Sequence, residues 1–244
     1  MVKKYFDNHN ISTKTKVLNL LFYVSFLASI LICITSEKKQ LLCTMPFLII
    51  ILLLKYLSIT KKKADPLYVV ALIAVFISTT LSLFSFKEYF VWVASFTSLY
   101  LILCSLTLRK YLNKGKFKSL LQGSVIVGIM LVLYLILAVV ELVINYIPDN
   151  NQFFIFLGAF CLFIFSLTFA VIYINDKYAN GTILLASGIF TIFQIALAPI
   201  NELFLFTKTF TLIIIICHII SIFLFIKFIT ETNPKENNVN NTYL

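Results

Sequence analysis

The sequence predicts an all-α, polytopic transmembrane bundle of about eight spans. Three observations carry that prediction: 61% of residues are hydrophobic and 12% charged, six glycines and five prolines serve the whole length, and apolar runs of roughly 20 residues alternate with short charged patches. A water-soluble domain with this balance would expose too much apolar surface to stay dispersed. Inside a bilayer only helices and closed barrels satisfy every backbone hydrogen bond. A barrel needs strict apolar/polar alternation, whereas runs such as Leu212 to Cys217 are continuously apolar, so the spans are helices.

Each span is bounded by charges or turn residues. Val17–Thr35 follows Lys14 and Lys16 and stops before Glu37. Leu41–Ile59 lies between Lys38-Lys39 and the run Lys61 to Lys63. Pro66–Phe86 follows Asp65 and stops at Lys87-Glu88, and Tyr89–Leu108 stops at Arg109-Lys110. Leu120–Val143 follows Lys118, and Phe153–Ile174 runs from beyond Asp149 to just before Asp176. Ile183–Ile200 ends where Pro199 is expected to interrupt the helix, and Phe210–Phe228 follows Lys208. The connections are short, so neighbouring spans should be antiparallel in one bundle over residues 1–231. The Asn-rich tail 232–244 has no apolar period and is expected to be a disordered cytoplasmic segment. The first span is longer than a signal-peptide core and lacks a small-x-small cleavage site near Ile34-Thr35-Ser36, so it is expected to be retained.

A net charge of +10 often points to nucleic acid, but here the cations sit in patches between spans and read as an orientation signal. The N-terminal tail carries Lys3, Lys4, Lys14 and Lys16 against Asp7. The second connection carries Lys61, Lys62 and Lys63 against Asp65, and the fourth carries Arg109, Lys110, Lys114, Lys116 and Lys118. If every span crosses once, all three share a side. The other connections are nearly balanced: Glu37 with Lys38 and Lys39, Lys87 with Glu88, and Asp149 alone. The positive-inside rule then puts both termini in the cytoplasm of a cell or inner membrane. Membrane lipid is the expected partner, and nucleic acid is not. Cys33, Cys43, Cys104, Cys161 and Cys217 form no C-x-x-C pair and read as small buried hydrophobes. With only His9 and His218 to accompany them, no metal site and no cofactor are expected.

Ionisable or strongly polar groups within lipid are candidates for function because each is costly there. His218 lies near the middle of the last span, where an imidazole can satisfy itself with one interhelical hydrogen bond or move a proton. Glu141 and Glu202 fall near the outer ends of their spans, where each can be an ordinary interfacial charge. Gln194 sits inside the seventh span, with a helix–helix hydrogen bond as the simpler role. The hydroxyls Ser78, Thr79 and Thr80, then Ser95, Ser98 and Tyr100, then Ser166 and Thr168, are at span depth and can also bond back to their own helices. No phosphate loop, dinucleotide fingerprint, H-E-x-x-H or serine elbow occurs.

The succession ALIAVFISTTLSLF, SFTSLYLIL, LGAFCLFIFSLTFA and SGIFTIFQIALA over eight short-looped spans resembles the YhhN-like lysoplasmalogenase family. The resemblance implies an eight-helix fold and hydrolysis of the vinyl-ether bond of lysoplasmalogens within the membrane. Gly158, Ala159, Phe163 and Ser166 match the family's sixth-helix pattern, Phe190 and Gln194 the seventh, and Phe96 the fourth. The departures fall on the acids and the base. Ser78-Thr79 or Thr79-Thr80 stands for the third-helix Gly-Asp, Leu167 for the sixth-helix Asp, and Tyr100 for the fourth-helix His. Vinyl-ether hydrolysis requires a proton delivered to carbon and a guided water, which threonine and leucine cannot supply. Asp176 follows Leu167 by nine residues, about 13 Å of helix at 1.5 Å per residue, too far for a simple replacement. The resemblance therefore implies a cavity between helices three, four, six and seven that meets a lysophospholipid and binds it rather than cleaving it. Activity would require Glu141, Glu202 or His218 to have taken over acid and base duties. The alternative is a small transporter or membrane sensor unrelated to that family, although no internal repeat is visible.

Overall fold

The computed structural model describes residues 13–112, 123–174 and 178–234. Within them run α1 (Thr13–Thr35), α2 (Met45–Thr60), α3 (Pro66–Ser85), α4 (Phe90–Leu108), α5 (Gly123–Ile144), α6 (Gln152–Ile174), α7 (Gly181–Leu203) and α8 (Lys208–Glu231). Eight of the described helical segments are long and apolar enough to cross a membrane, and no described residue is in a strand. This is a multi-pass helical membrane protein. Lys3, Lys4, Lys114, Lys116, Lys118, Asp176 and the tail beyond Pro234 lie outside the described residues.

Helix ends follow local chemistry. Pro66 occupies the first turn of α3, where its missing N–H is not needed, and the Asp65 carboxylate accepts from the Leu67 N–H at 3.0 Å. Thr207 caps α8 in the same way, accepting from Phe210 N–H at 3.2 Å. Two of the boundaries that move have a local cause. The second span begins as a helix at Met45 rather than Leu41, because Lys38–Cys43 winds into a tighter 3₁₀ turn that buries Leu41 and Pro46 then opens α2. The seventh does not break at Pro199 but continues through it to Leu203. Asn201 explains that extra turn. Its side chain donates to Thr211 Oγ1 at 3.0 Å and accepts from Thr207 N–H at 3.0 Å, tying the end of α7 to the start of α8.

The tightest pairings are α7 with α8, α3 with α4 and α4 with α6. α4 and α8 are the most enclosed spans, whereas α5 and α1 present most of their surface outward, as with Met130, Leu131 and Tyr134. α1 docks on α2 and α8, and α5 on α6 and α7.

The two ends of the bundle differ. At one end Lys110 pairs with Asp65 at 3.0 Å, Tyr178 donates to Tyr111 O at 3.3 Å, and Tyr111 donates to Thr232 O at 3.2 Å. These bonds gather the second and fourth connections, the start of α7 and the end of α8, as a chain that crosses once per span requires. The rings of Tyr111, Tyr178 and Phe228 pack together beneath them. At the other end Lys38 pairs with Glu202 at 2.6 Å and Lys208 donates to Ile34 O at 3.2 Å.

Candidate functional site

A cavity of about 210 Å³ lies within the bundle, walled by side chains of α3 to α8 and roofed by Lys38 and Met45. Its walls are mainly apolar, with residues such as Val75, Leu135, Val139 and Ile215, and its polar groups fall at two levels.

The deep level is built by α3, α4, α7 and α8. His218 is buried, and its Nε2 lies 3.0 Å from Thr79 Oγ1, an α8–α3 hydrogen bond whose direction depends on the imidazole tautomer. The other ring nitrogen, Nδ1, has no partner among the described residues. An imidazole held on one side and unpartnered on the other is fixed in orientation, and its second nitrogen is itself enclosed by the surrounding side chains. Behind it, Ser221 donates to His218 O at 2.8 Å, and Ser187 of α7 donates to Ser221 O at 2.8 Å, so the α7–α8 pair is laced through its buried hydroxyls. Ser78 and Thr97 share a 2.7 Å bond between α3 and α4, and Tyr100 and Gln194 complete this level. The half-buried Gln194 side chain makes no hydrogen bond among the described residues.

The upper level is ionic. Glu202 Oε1 accepts from Lys38 Nζ at 2.6 Å, and the same ammonium donates to Ser82 O at 2.9 Å. Both side chains are mostly buried, at 17% and 16% exposure, so this pair is shielded more than a surface bridge. Above it opens a vestibule that shares Lys38, Leu83, Phe86, Glu202 and Thr211 with the cavity.

The structure therefore brings Ser78, Thr79, Tyr100, Gln194, Glu202 and His218 to one cavity, and α5 and α8 join the four helices expected to wall it. Other candidates fall elsewhere. Thr80 donates to Phe76 O at 2.7 Å and Ser166 to Leu162 O at 2.7 Å, each spending its hydroxyl within its own helix. Glu141 is exposed on α5, away from the cavity lining. Lys38, Thr97 and Asn201 were not among the expected site residues. Asn201 carried a signal, being an amide set between Pro199 and the turn before α8. Lys38 carried none beyond its charge.

Chemically, Glu202 is the one carboxylate among the described residues lining the cavity, and it is engaged by Lys38. His218 bonds Thr79, one helical turn below the Ser82 whose carbonyl accepts from Lys38, while Glu202 bonds Lys38, and no hydrogen bond joins His218 to Glu202 among the described residues. Glu202 and His218 thus do not form an acid–base couple. The arrangement can hold an elongated apolar group, with hydrogen bonds at its deep end and charge at its mouth.

Comparison with protein-family models, curated proteins and solved structures yields no match for this chain.

Proposed function

We propose that this multi-pass membrane protein holds a single-chain lipid of the lysophospholipid class within its bundle, on a YhhN-like plan, without hydrolysing it. The observation that carries the reading is the shape of the chemistry: a mainly apolar cavity with an ion pair at its mouth and hydrogen-bonding side chains on the walls below it. A single acyl or alkenyl chain satisfies such walls, and a headgroup satisfies the mouth. Of the residues that carry the resemblance, Gly158, Ala159 and Gln194 line the cavity, as does Thr79, one of the two positions that align with the family's third-helix aspartate. Cleavage finds no support in the lining. Thr79 and Tyr100 carry hydroxyls where an acid and a base would be needed, and Glu202 is tied to Lys38. In this reading the lysine-rich end faces the cytoplasm and the mouth faces outward, in a cell or inner membrane.

Binding of lysophosphatidylethanolamine and of the matching lysoplasmalogen to the protein in phosphatidylcholine nanodiscs tests the proposal. Native mass spectrometry should show saturable one-to-one binding, weakened at least tenfold by Gly158→Phe, with the lysoplasmalogen recovered intact. Gly158→Phe fills the cavity from α6, because the space beside Gly158 is bounded by Ser98 Oγ at 3.8 Å. Turnover of the vinyl ether that disappears in His218→Ala would make the protein an enzyme instead. Movement of a ligand across a sealed vesicle, with no retained lipid, would make it a transporter.

A further inference from the structure

The fold pools charge that the sequence spreads out. Taken connection by connection, the mouth end looks nearly neutral, with Lys38 and Lys39 beside Glu37 and with Lys87 beside Glu88. In the folded chain Lys38, Lys39, Lys87 and Lys208 all line the one vestibule, together with Glu37 and Glu202. Four lysines against two glutamates leave a local net charge of +2, while Glu88, Glu141 and Asp149 lie outside that lining. A second, independent observation is the state of Lys38. Its ammonium is mostly buried, hangs over the apolar cavity, and is held by Glu202 and by Ser82 O. Burial of a cation is costly unless it is paired, so Glu202 keeps Lys38 in place when no other anion is there. A phosphate at the mouth offers the same ammonium a second charge-assisted partner, of the same kind as the Glu202 carboxylate. Lys39, Lys87 and Lys208 stand around it in the same vestibule.

We infer that the ligand is an anionic, phosphate-bearing single-chain lipid whose phosphate seats in this vestibule on Lys38 and Lys208 while its chain enters the cavity below. The inference rests on the single-chain-lipid reading above and adds the charge of the headgroup to it. Glu202 then competes with the ligand for Lys38, which gives the two partners of one ion pair opposite effects.

The experiment compares lysophosphatidic acid, neutral monoacylglycerol of the same chain and soluble glycerol 3-phosphate, each titrated onto the protein in uncharged detergent at two salt concentrations. The wild-type protein should prefer lysophosphatidic acid over monoacylglycerol by at least tenfold. That preference should shrink with added salt, because the vestibule is open to solvent. Lys38→Gln should lower the preference about tenfold and Lys208→Gln about threefold, whereas Glu202→Gln should raise it severalfold. Glycerol 3-phosphate should bind at least a hundredfold more weakly than the lipid. Monoacylglycerol and lysophosphatidic acid binding equally would overturn the anionic-headgroup inference and leave the lipid reading standing. Neither lipid binding to folded protein would overturn both. Glycerol 3-phosphate matching the lipid would assign the vestibule to a soluble phosphate instead, and a weaker preference in Glu202→Gln would overturn the competition. Retention of the folded monodisperse species on gel filtration qualifies each variant.

Discussion

The lysine-rich end of the bundle and the mouth end are made of similar residues put to different use. At the lysine-rich end, the tyrosines turn inward and donate to backbone carbonyls that helix termini leave open, Tyr111 to Thr232 O and Tyr178 to Tyr111 O. Their rings pack tilted and edge-on against Phe228, and Tyr68, in the same half of the bundle on α3, is fully buried between Tyr56 and Phe225 with its hydroxyl unpartnered among the described residues. At the mouth end the corresponding space is left to a cavity, and polarity is supplied by an ion pair that spans it. The first end closes by satisfying its own backbone. The second holds polar groups that a ligand can engage, which is why the functional reading attaches to it.

The same substitution made in each half sharpens that contrast most strongly. Gly188 of α7 lies in the closed half, where an added Cβ would run into the ring of Phe169 on α6. Gly188→Ala should destabilise the protein by about 1–3 kcal/mol, read from unfolding in SDS titrations, because a packed ring must shift to admit one methyl. Gly158 of α6 lies in the open half, and its added Cβ meets only Ser98 Oγ at ordinary contact distance. Gly158→Ala should therefore leave stability unchanged or raise it by up to about 1 kcal/mol through helix propensity. Equal losses at the two glycines would erase the distinction between a packed and a hollow half.

Next in size is the deep hydrogen bond. Thr79→Val keeps the shape of the side chain but removes the partner of His218 Nε2, leaving both ring nitrogens buried and unpaired. The expected loss is about 1–2 kcal/mol, partly recovered when lipid is bound if the ligand or a water reaches the ring. A fully neutral Thr79→Val would mean that His218 finds another partner. At the closed end Tyr111→Phe keeps the ring and removes the donor to Thr232 O, and should cost about 1 kcal/mol without altering lipid affinity. At the mouth, Glu202→Gln keeps an amide oxygen that can accept from Lys38, which also retains Ser82 O and access to water in the vestibule, so the loss should be about 1 kcal/mol rather than the several that an unpaired buried cation would cost.

The spans were readable because hydrocarbon imposes a length of about 20 apolar residues on anything that crosses it, and charges mark the ends. Exceptions came from local chemistry at those ends. The 3₁₀ turn at Lys38–Cys43 delays α2, and Asn201 rescues the last turn of α7 beyond Pro199. The site was half readable. Thr79, Tyr100, Gln194 and His218 stood out because polar groups within lipid are costly, and they do share a cavity. Ser166 and Thr80 stood out for the same reason and turned back on their own helices. Nothing in the pattern separates the two outcomes, because these spans are apolar all round and do not declare which face turns inward. Lys38 was legible only as one charge in a nearly balanced connection. Its role depends on Glu202, 164 positions away.

The central claim is that the chain of a single-chain lipid lies inside the bundle with its headgroup at the mouth. Photo-crosslinking in nanodiscs, with a lysophospholipid carrying a diazirine near the end of its chain, tests it most directly. Adducts are expected on the cavity walls of α3, α4, α7 and α8 around Thr79, Tyr100, Gln194 and His218, suppressed in Gly158→Phe. Adducts confined to the outward faces of α1 and α5, and unchanged in that variant, would contradict it.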